Sequence, residues 1–189
     1  MTITSDNLSG IDEEFLVWAS EYGFKDLRLD VDVIHLQNLL PEQIAQKLIA
    51  LKHFGKSLGI YVSGFWERPA ENMYPSITEA QTGFCGGQKG HSLCVAPNGS
   101  IFICGYSSTK VGDVFNNFPP NNEYTSLVAN RFTGRNKRCI GCQIEGQCIG
   151  GCFIAEEFAT SHSDSVLDFN CRLYKATTVE LLKDQCAIS

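Results

Sequence analysis

The chain has 189 residues, of which 43% are apolar and 19% charged, with a formal net charge of −6. This is the composition of a globular protein of one domain or slightly more, at roughly 100–200 residues per domain, and it excludes disorder as the main state. The acidic balance argues against a nucleic-acid partner, which would call for a basic face. No apolar run approaches the roughly 18–20 residues of a membrane-spanning helix, so no membrane partner is expected. Residues 1–15 are polar and acidic. They do not read as a secretory signal, and a cytoplasmic location is expected.

The first half alternates helix and strand. Residues 11–21 fit a helix with Phe15, Leu16 and Ala19 on one side and Gly23 as a stop. Residues 27–33 alternate apolar and polar side chains, the period of a strand. Pro41 suits a helix start, and Ile44, Leu48, Leu51 and Phe54 then recur at helical spacing up to Gly55 or Gly59. Residues 60–65 read as a second strand. The order implies a parallel sheet with right-handed crossovers. Two strands cannot bury both faces of such a sheet. The segment therefore reads as part of something larger, with a cut edge near residues 27–33 that should expose apolar surface and promote association. Arg28, Asp30 and Asp32 would share one strand face. That face is either half-solvated or the lining of a polar lumen for a charged cofactor.

The second half is dominated by sulfur. All nine cysteines, Cys85, Cys94, Cys104, Cys139, Cys142, Cys148, Cys152, Cys171 and Cys186, lie beyond residue 84. The proline-punctuated stretch 67–75 marks the joint. Without a signal peptide, a cysteine cluster points to metal more than to disulfides. Pro97-Asn98-Gly99 between two apolar runs is a hairpin signal that brings Cys94 and Cys104 together. Cys139 to Cys142 is a C-x2-C knuckle, and the series continues as x5 to Cys148 and x3 to Cys152. Gly150-Gly151 lets backbone approach a bulky inorganic body. Eight thiolates suffice for two tetrahedral zinc ions or two [4Fe–4S] cubes. The single knuckle with longer loops favours the larger group, because zinc ribbons usually pair two knuckles.

The spacing resembles the SPASM domain, the auxiliary-cluster module of many radical S-adenosylmethionine (SAM) enzymes. Its pattern C-x(9–15)-G-x4-C, C-x2-C-x5-C-x3-C, C is met by Cys85, Gly99, Cys104, Cys139, Cys142, Cys148, Cys152 and Cys171. Pro97 to Ile101 match its hairpin, and Val111-Gly112-Asp113-Val114 its following strand. The resemblance implies two [4Fe–4S] clusters with interleaved ligands. Cys85, Cys94, Cys104 and Cys152 would hold the first, and Cys139, Cys142, Cys148 and Cys171 the second. Cys94 stands outside the seven-cysteine pattern, and Cys186 has no place in it.

The resemblance also implies a fold: an α/β fragment, the last βα units of a partial TIM barrel, then a loop-rich α+β iron–sulfur module with a β-hairpin. The implied divisions are 1–75, 76–175 and a C-terminal helix or tail over 176–189. The C-x3-C-x2-C triplet that binds the SAM-cleaving cluster does not occur in this sequence. SAM is therefore expected only in a complete enzyme, and the chain is expected to be inactive alone. Implied partners are a peptide or protein substrate, a separate barrel chain, and a reductant such as flavodoxin or ferredoxin. A stand-alone electron-transfer or peptide-binding protein and a structural zinc module are the alternatives. Gly105 stands where sulfatase-maturing members carry an Asp base, so that activity is not assigned. Tyr106 reads as a strand-end residue and His91 as a loop histidine. Glu156-Glu157 reads as a solvated face, and Phe65-Trp66 as core packing or a substrate face.

Overall fold

The computed structural model describes residues 1–73, 84–88, 91–116 and 137–186. The fold is mixed α/β with small sheets. In chain order the first half comprises β1 (Thr2–Ile3), α1 (Glu13–Glu21), β2 (Asp26–Arg28), β3 (Asp30–Val31), α2 (Pro41–Ser57) and β4 (Tyr61–Ser63). A 3-10 turn over Phe65–Glu67 and α3 (Arg68–Glu71) follow. Asp12 caps α1 by accepting from the Phe15 N–H at 3.0 Å, and Glu13 and Glu14 suit its positive end. Pro41 occupies the first turn of α2, where its missing N–H costs nothing.

β1 pairs in parallel with β3, and β2 in parallel with β4. Leu29, between β2 and β3, donates its N–H to Ser63 O at 2.8 Å, while the next N–H, of Asp30, goes to Met1 O at 2.9 Å. Successive strand N–H groups point to opposite sides, so residues 26–31 run between β1 and β4. This corrects the expected cut edge near residues 27–33. That stretch is flanked on both sides, because a strand too short to show any periodicity covers it.

The second half comprises the antiparallel sheet β5 (Cys94–Val95), β6 (Ser100–Phe102) and β7 (Lys110–Asp113). A 3-10 turn over Lys137–Cys139 then leads to α4 (Phe153–Ser161) and α5 (Ser165–Cys186). The expected hairpin forms: Cys94 faces Phe102, and Gly99 turns the chain at φ +83°. Tyr74, Pro75 and residues 117–136, which precede the knuckle, lie outside the described residues.

One core joins the two halves. Leu48, Val62 and Trp66 of the first half cluster with Phe84, Leu173, Tyr174 and Leu181 of the second. α5 packs along α2, fastened by the two-pronged pairing of Arg172 with Glu42 at 2.6 and 2.8 Å. Thr177 Oγ1 donates to Trp66 O at 2.9 Å. α5 runs without a break across residue 175, the expected boundary between module and tail. Trp66 is buried with its Nε1 donating to Leu29 O at 3.0 Å, while Phe65 is half-buried beneath the Arg28 guanidinium at 4.2 Å.

Candidate metal centre

The thiols are placed by four segments. The first is residues 84–88, where Gln88 acts as a two-ended tie. Its Oε1 accepts from the Phe84 N–H at 2.6 Å, and its Nε2 donates to Gly151 O at 3.2 Å. Cys85 is thereby held to the loop that ends in Cys152. The second segment is the β5–β6 hairpin. Its outer end brings Cys94 Sγ within 3.6 Å of where a Cβ on Gly105 would lie, next to Cys104.

The third segment is the knuckle and its continuation. The Cys142 N–H donates to Cys139 O at 3.1 Å, closing the turn, and the Gly141 N–H donates to Glu145 Oε2 at 2.8 Å. Arg138, one residue before Cys139, grips both Asp164 and Asp168 at the start of α5. The fourth segment is α5 itself, with Cys171 one turn further on. The Arg138 clamp thus draws the knuckle to the Cys171 helix.

Charge interactions show which thiols lie together. Burial pushes the Cys148 thiol far above its usual value, and Cys171, Cys139 and Cys142 push it further; the Gly150 N–H works the other way. Cys171 is raised by burial and then by Cys139 and Cys142. Cys152 is pushed up to about 11, by burial first, with Cys85 and Cys104 adding to the rise. The N–H groups of Ile154 and Ala155 oppose that rise, although no side-chain hydrogen bond caps α4 at Cys152. One group therefore gathers Cys139, Cys142, Cys148 and Cys171. Another gathers Cys85, Cys104 and Cys152, with Cys94 beside Cys104. Cys186 is exposed at the far end of α5.

The link between the groups is residues 148–152. Ile149, Gly150 and Gly151 take φ of +52°, +78° and +75° in succession. A left-handed run reverses the chain within three residues, so Cys148 and Cys152 serve different groups although they are close in sequence. The β-branched Ile149 is strained there, at about 1–2 kcal/mol. Tyr174 closes the space behind this loop. Its ring packs tilted against Phe84, with centroids 5.0 Å apart, and would lie 3.0 Å from a Cβ on Gly151.

Among the described residues no three His, Cys, Asp or Glu side chains are placed to hold a metal ion as they stand. The donor chemistry nonetheless fits an iron–sulfur cluster. The donors are soft, all sulfur and free of disulfides. Backbone N–H groups act on Cys148 and Cys152. Open space lies beside Gly141 and Gly150, where an added Cβ would meet nothing within 4 Å. Thiols packed this way resist ionising together, and a bound cation would remove that resistance.

Other candidates resolve differently. Glu157 is no solvated side chain: it accepts from Ser107 Oγ at 2.9 Å, from the Ser108 N–H at 3.3 Å and from Thr109 Oγ1. It pins the loop after Cys104 to α4, and partners some fifty residues away leave no sequence signal. Tyr106 and His91 are exposed. Asp30 binds Arg28 Nε at 2.7 Å and the Phe65 N–H at 2.9 Å, and Asp32 caps the turn at Ile34 and His35. Sequence reasoning missed Gln88, Arg138, Asn170 and Tyr174. Of these only Asn170 left a trace, as a polar residue in register with buried Val166, Leu173 and Tyr174.

No family model matches the chain. It is 23% identical to the radical SAM cyclopropyl synthase TigE of Paramaledivibacter caminithermalis over 185 residues. The match covers 96% of this chain and 39% of that relative's length. This is a distant likeness to a radical SAM enzyme, and it supports a radical SAM-related role. No helix among the described residues is long and apolar enough to cross a membrane.

Proposed function

We propose that the chain binds two [4Fe–4S] clusters as the auxiliary-cluster portion of a radical SAM enzyme that modifies a peptide or protein. The observation that carries this reading is the sorting of the cysteines into two groups that cross over in sequence, with Cys152 returning to Cys85 and Cys104. Cys139, Cys142, Cys148 and Cys171 make up the other group. Seven residues from four separate segments come within electrostatic reach of one another in that order, and Cys94 lies near Gly105 beside Cys104. The distant radical SAM likeness over nearly the whole chain is independent support.

In this reading Cys85, Cys94, Cys104 and Cys152 hold one cluster and Cys139, Cys142, Cys148 and Cys171 the other. When bound, such clusters supply one-electron chemistry or a binding surface for substrate. The chain's own residues fix where they sit. Gln88 sets Cys85 against Cys152, Arg138 sets Cys139 against Cys171, and Tyr174 fills the space between. SAM cleavage needs the C-x3-C-x2-C triplet, absent from these 189 residues. It is therefore assigned to a barrel supplied in a longer polypeptide or by a separate chain, with flavodoxin or ferredoxin as the class of reductant. The module (residues 76–175) follows the α/β segment 1–75 as the end of that partial barrel.

The test is anaerobic reconstitution followed by iron, sulfide and zinc analysis with an absorption spectrum. About eight iron and eight sulfide per chain, with a broad band near 400 nm, are expected for eight thiolates on two cubes. About two zinc and no sulfide would overturn the reading in favour of a structural zinc module.

A further inference from the structure

Two buried side-chain oxygens among the described residues lack a hydrogen-bond partner: Glu67 Oε1 and Asn170 Oδ1. Glu67 has an evident reason to be buried, since its other oxygen binds Lys52 Nζ at 2.9 Å. Asn170 has none. It is 2% exposed, on the inner face of α5, one residue before Cys171. Its amide lies against the left-handed loop, with Nδ2 2.9 Å from where a Cβ on Gly151 would sit. The carboxamide is therefore buried against the loop that carries Cys148 and Cys152, on the helix that carries Cys171.

An unmet buried amide is destabilising, and a leucine of similar size would avoid that cost. Its retention calls for a partner that enters with the working protein. The two ends of a carboxamide are nearly identical in shape, and a half-turn exchanges an orphaned acceptor for a donor. Sulfides and thiolates are acceptors only, and a bound cluster would bring them to this place.

We infer that Asn170 donates a side-chain N–H to a sulfur of the cluster held by Cys139, Cys142, Cys148 and Cys171 and raises that cluster's potential. The inference rests on the proposed function. A donor to sulfur stabilises the reduced state most, because that state carries the extra negative charge. A charge-assisted hydrogen bond strengthens as the acceptor gains negative charge, so its loss should change the reduction equilibrium about tenfold.

The experiment compares the reconstituted wild-type chain with Asn170→Leu. Iron and sulfide are counted first, then reduction is followed by paramagnetic resonance at fixed potentials. Equal iron is expected in both. At a potential where the affected cluster of the wild type is half reduced, the variant's reduced-to-oxidised ratio should fall about tenfold, which is 59 mV for one electron. The other cluster should not move. Equal iron with both potentials unchanged would overturn the inference and leave Asn170 as the seat of a buried water. As a check that needs no variant, wild-type chain carrying 15N in its asparagine side-chain amides should show a nitrogen coupling to the reduced cluster. Absence of that coupling would also overturn it. A wild-type chain without iron and sulfide would instead overturn the proposed function beneath it.

Discussion

The left-handed loop offers a matched pair of substitutions. Gly150 and Gly151 have φ of +78° and +75°, so alanine pays the same backbone penalty at each, about 1–2 kcal/mol. Their surroundings differ. A Cβ at Gly150 meets nothing within 4 Å, whereas one at Gly151 would fall 2.9 Å from Asn170 Nδ2 and 3.0 Å from Tyr174 Cε2. Both neighbours belong to the core side of α5, and overpacking of that kind adds about 1–3 kcal/mol. Gly150→Ala should therefore cost about 1–2 kcal/mol and Gly151→Ala about 2–5 kcal/mol. Urea unfolding of the metal-free chain under anaerobic, reducing conditions gives the two midpoints, with the slope checked for constancy. Gly151→Ala should also lose cluster iron, because α5 must back away from the Cys148–Cys152 loop and take Cys171 with it. Equal midpoints for the two variants would refute the argument that α5 presses directly on this loop.

Three further outcomes follow from the geometry. Lys52→Met leaves the buried Glu67 carboxylate uncompensated and should cost about 3–5 kcal/mol at neutral pH, most of it recovered in Lys52→Met/Glu67→Gln; thermal melts of the three variants check this. Burial raises Glu67, so the single variant's deficit should shrink on acidification as the carboxyl takes up a proton. The metal-free chain should lose stability on the alkaline side. Cys152 shifts from 9.0 to about 11 on folding, so the folded state binds more protons than the unfolded across that window. Stability is then intact below pH 9 and falls by about 2–3 kcal/mol towards pH 11; a flat urea midpoint between pH 7 and 10.5 would contradict it. Cys186→Ser should keep full iron after reconstitution, whereas Cys94→Ser should lose about half, one cube of two.

The first half was largely legible, and the reasons are local. α2 announces itself through Pro41 and the Ile44–Leu48–Leu51 spacing, and the β5–β6 hairpin through Asn98-Gly99. β1 was invisible because two residues carry no periodicity; its existence depends on the partner N–H of Asp30. α5 was foreseen only as a C-terminal helix or tail, because Asn170, Thr177 and Thr178 interrupt its buried face. The threonines are accommodated by bonding back to carbonyls one turn earlier, Thr177 to Leu173 O at 3.0 Å and Thr178 to Tyr174 O at 2.6 Å. At the site, cysteine spacing carried the thiols, since knuckles and glycine turns are sequence-local. Gln88, Arg138 and Glu157 act across tens of residues, and only the folded chain brings their partners within reach.

α5 has a consequence for inheritance. Its first turns face the thiols, and its later turns fill the floor beneath α2 and Trp66. A gene segment cut at residue 175 and moved to another host would deliver the sulfur ligands but leave behind the helical surface that seats them. It would also leave the donor chain with an unfilled trough along α2. Segments 1–75 and 76–175 are separate in composition and single in architecture. They can be exchanged among relatives only as one block, with the remainder of α5 carried along.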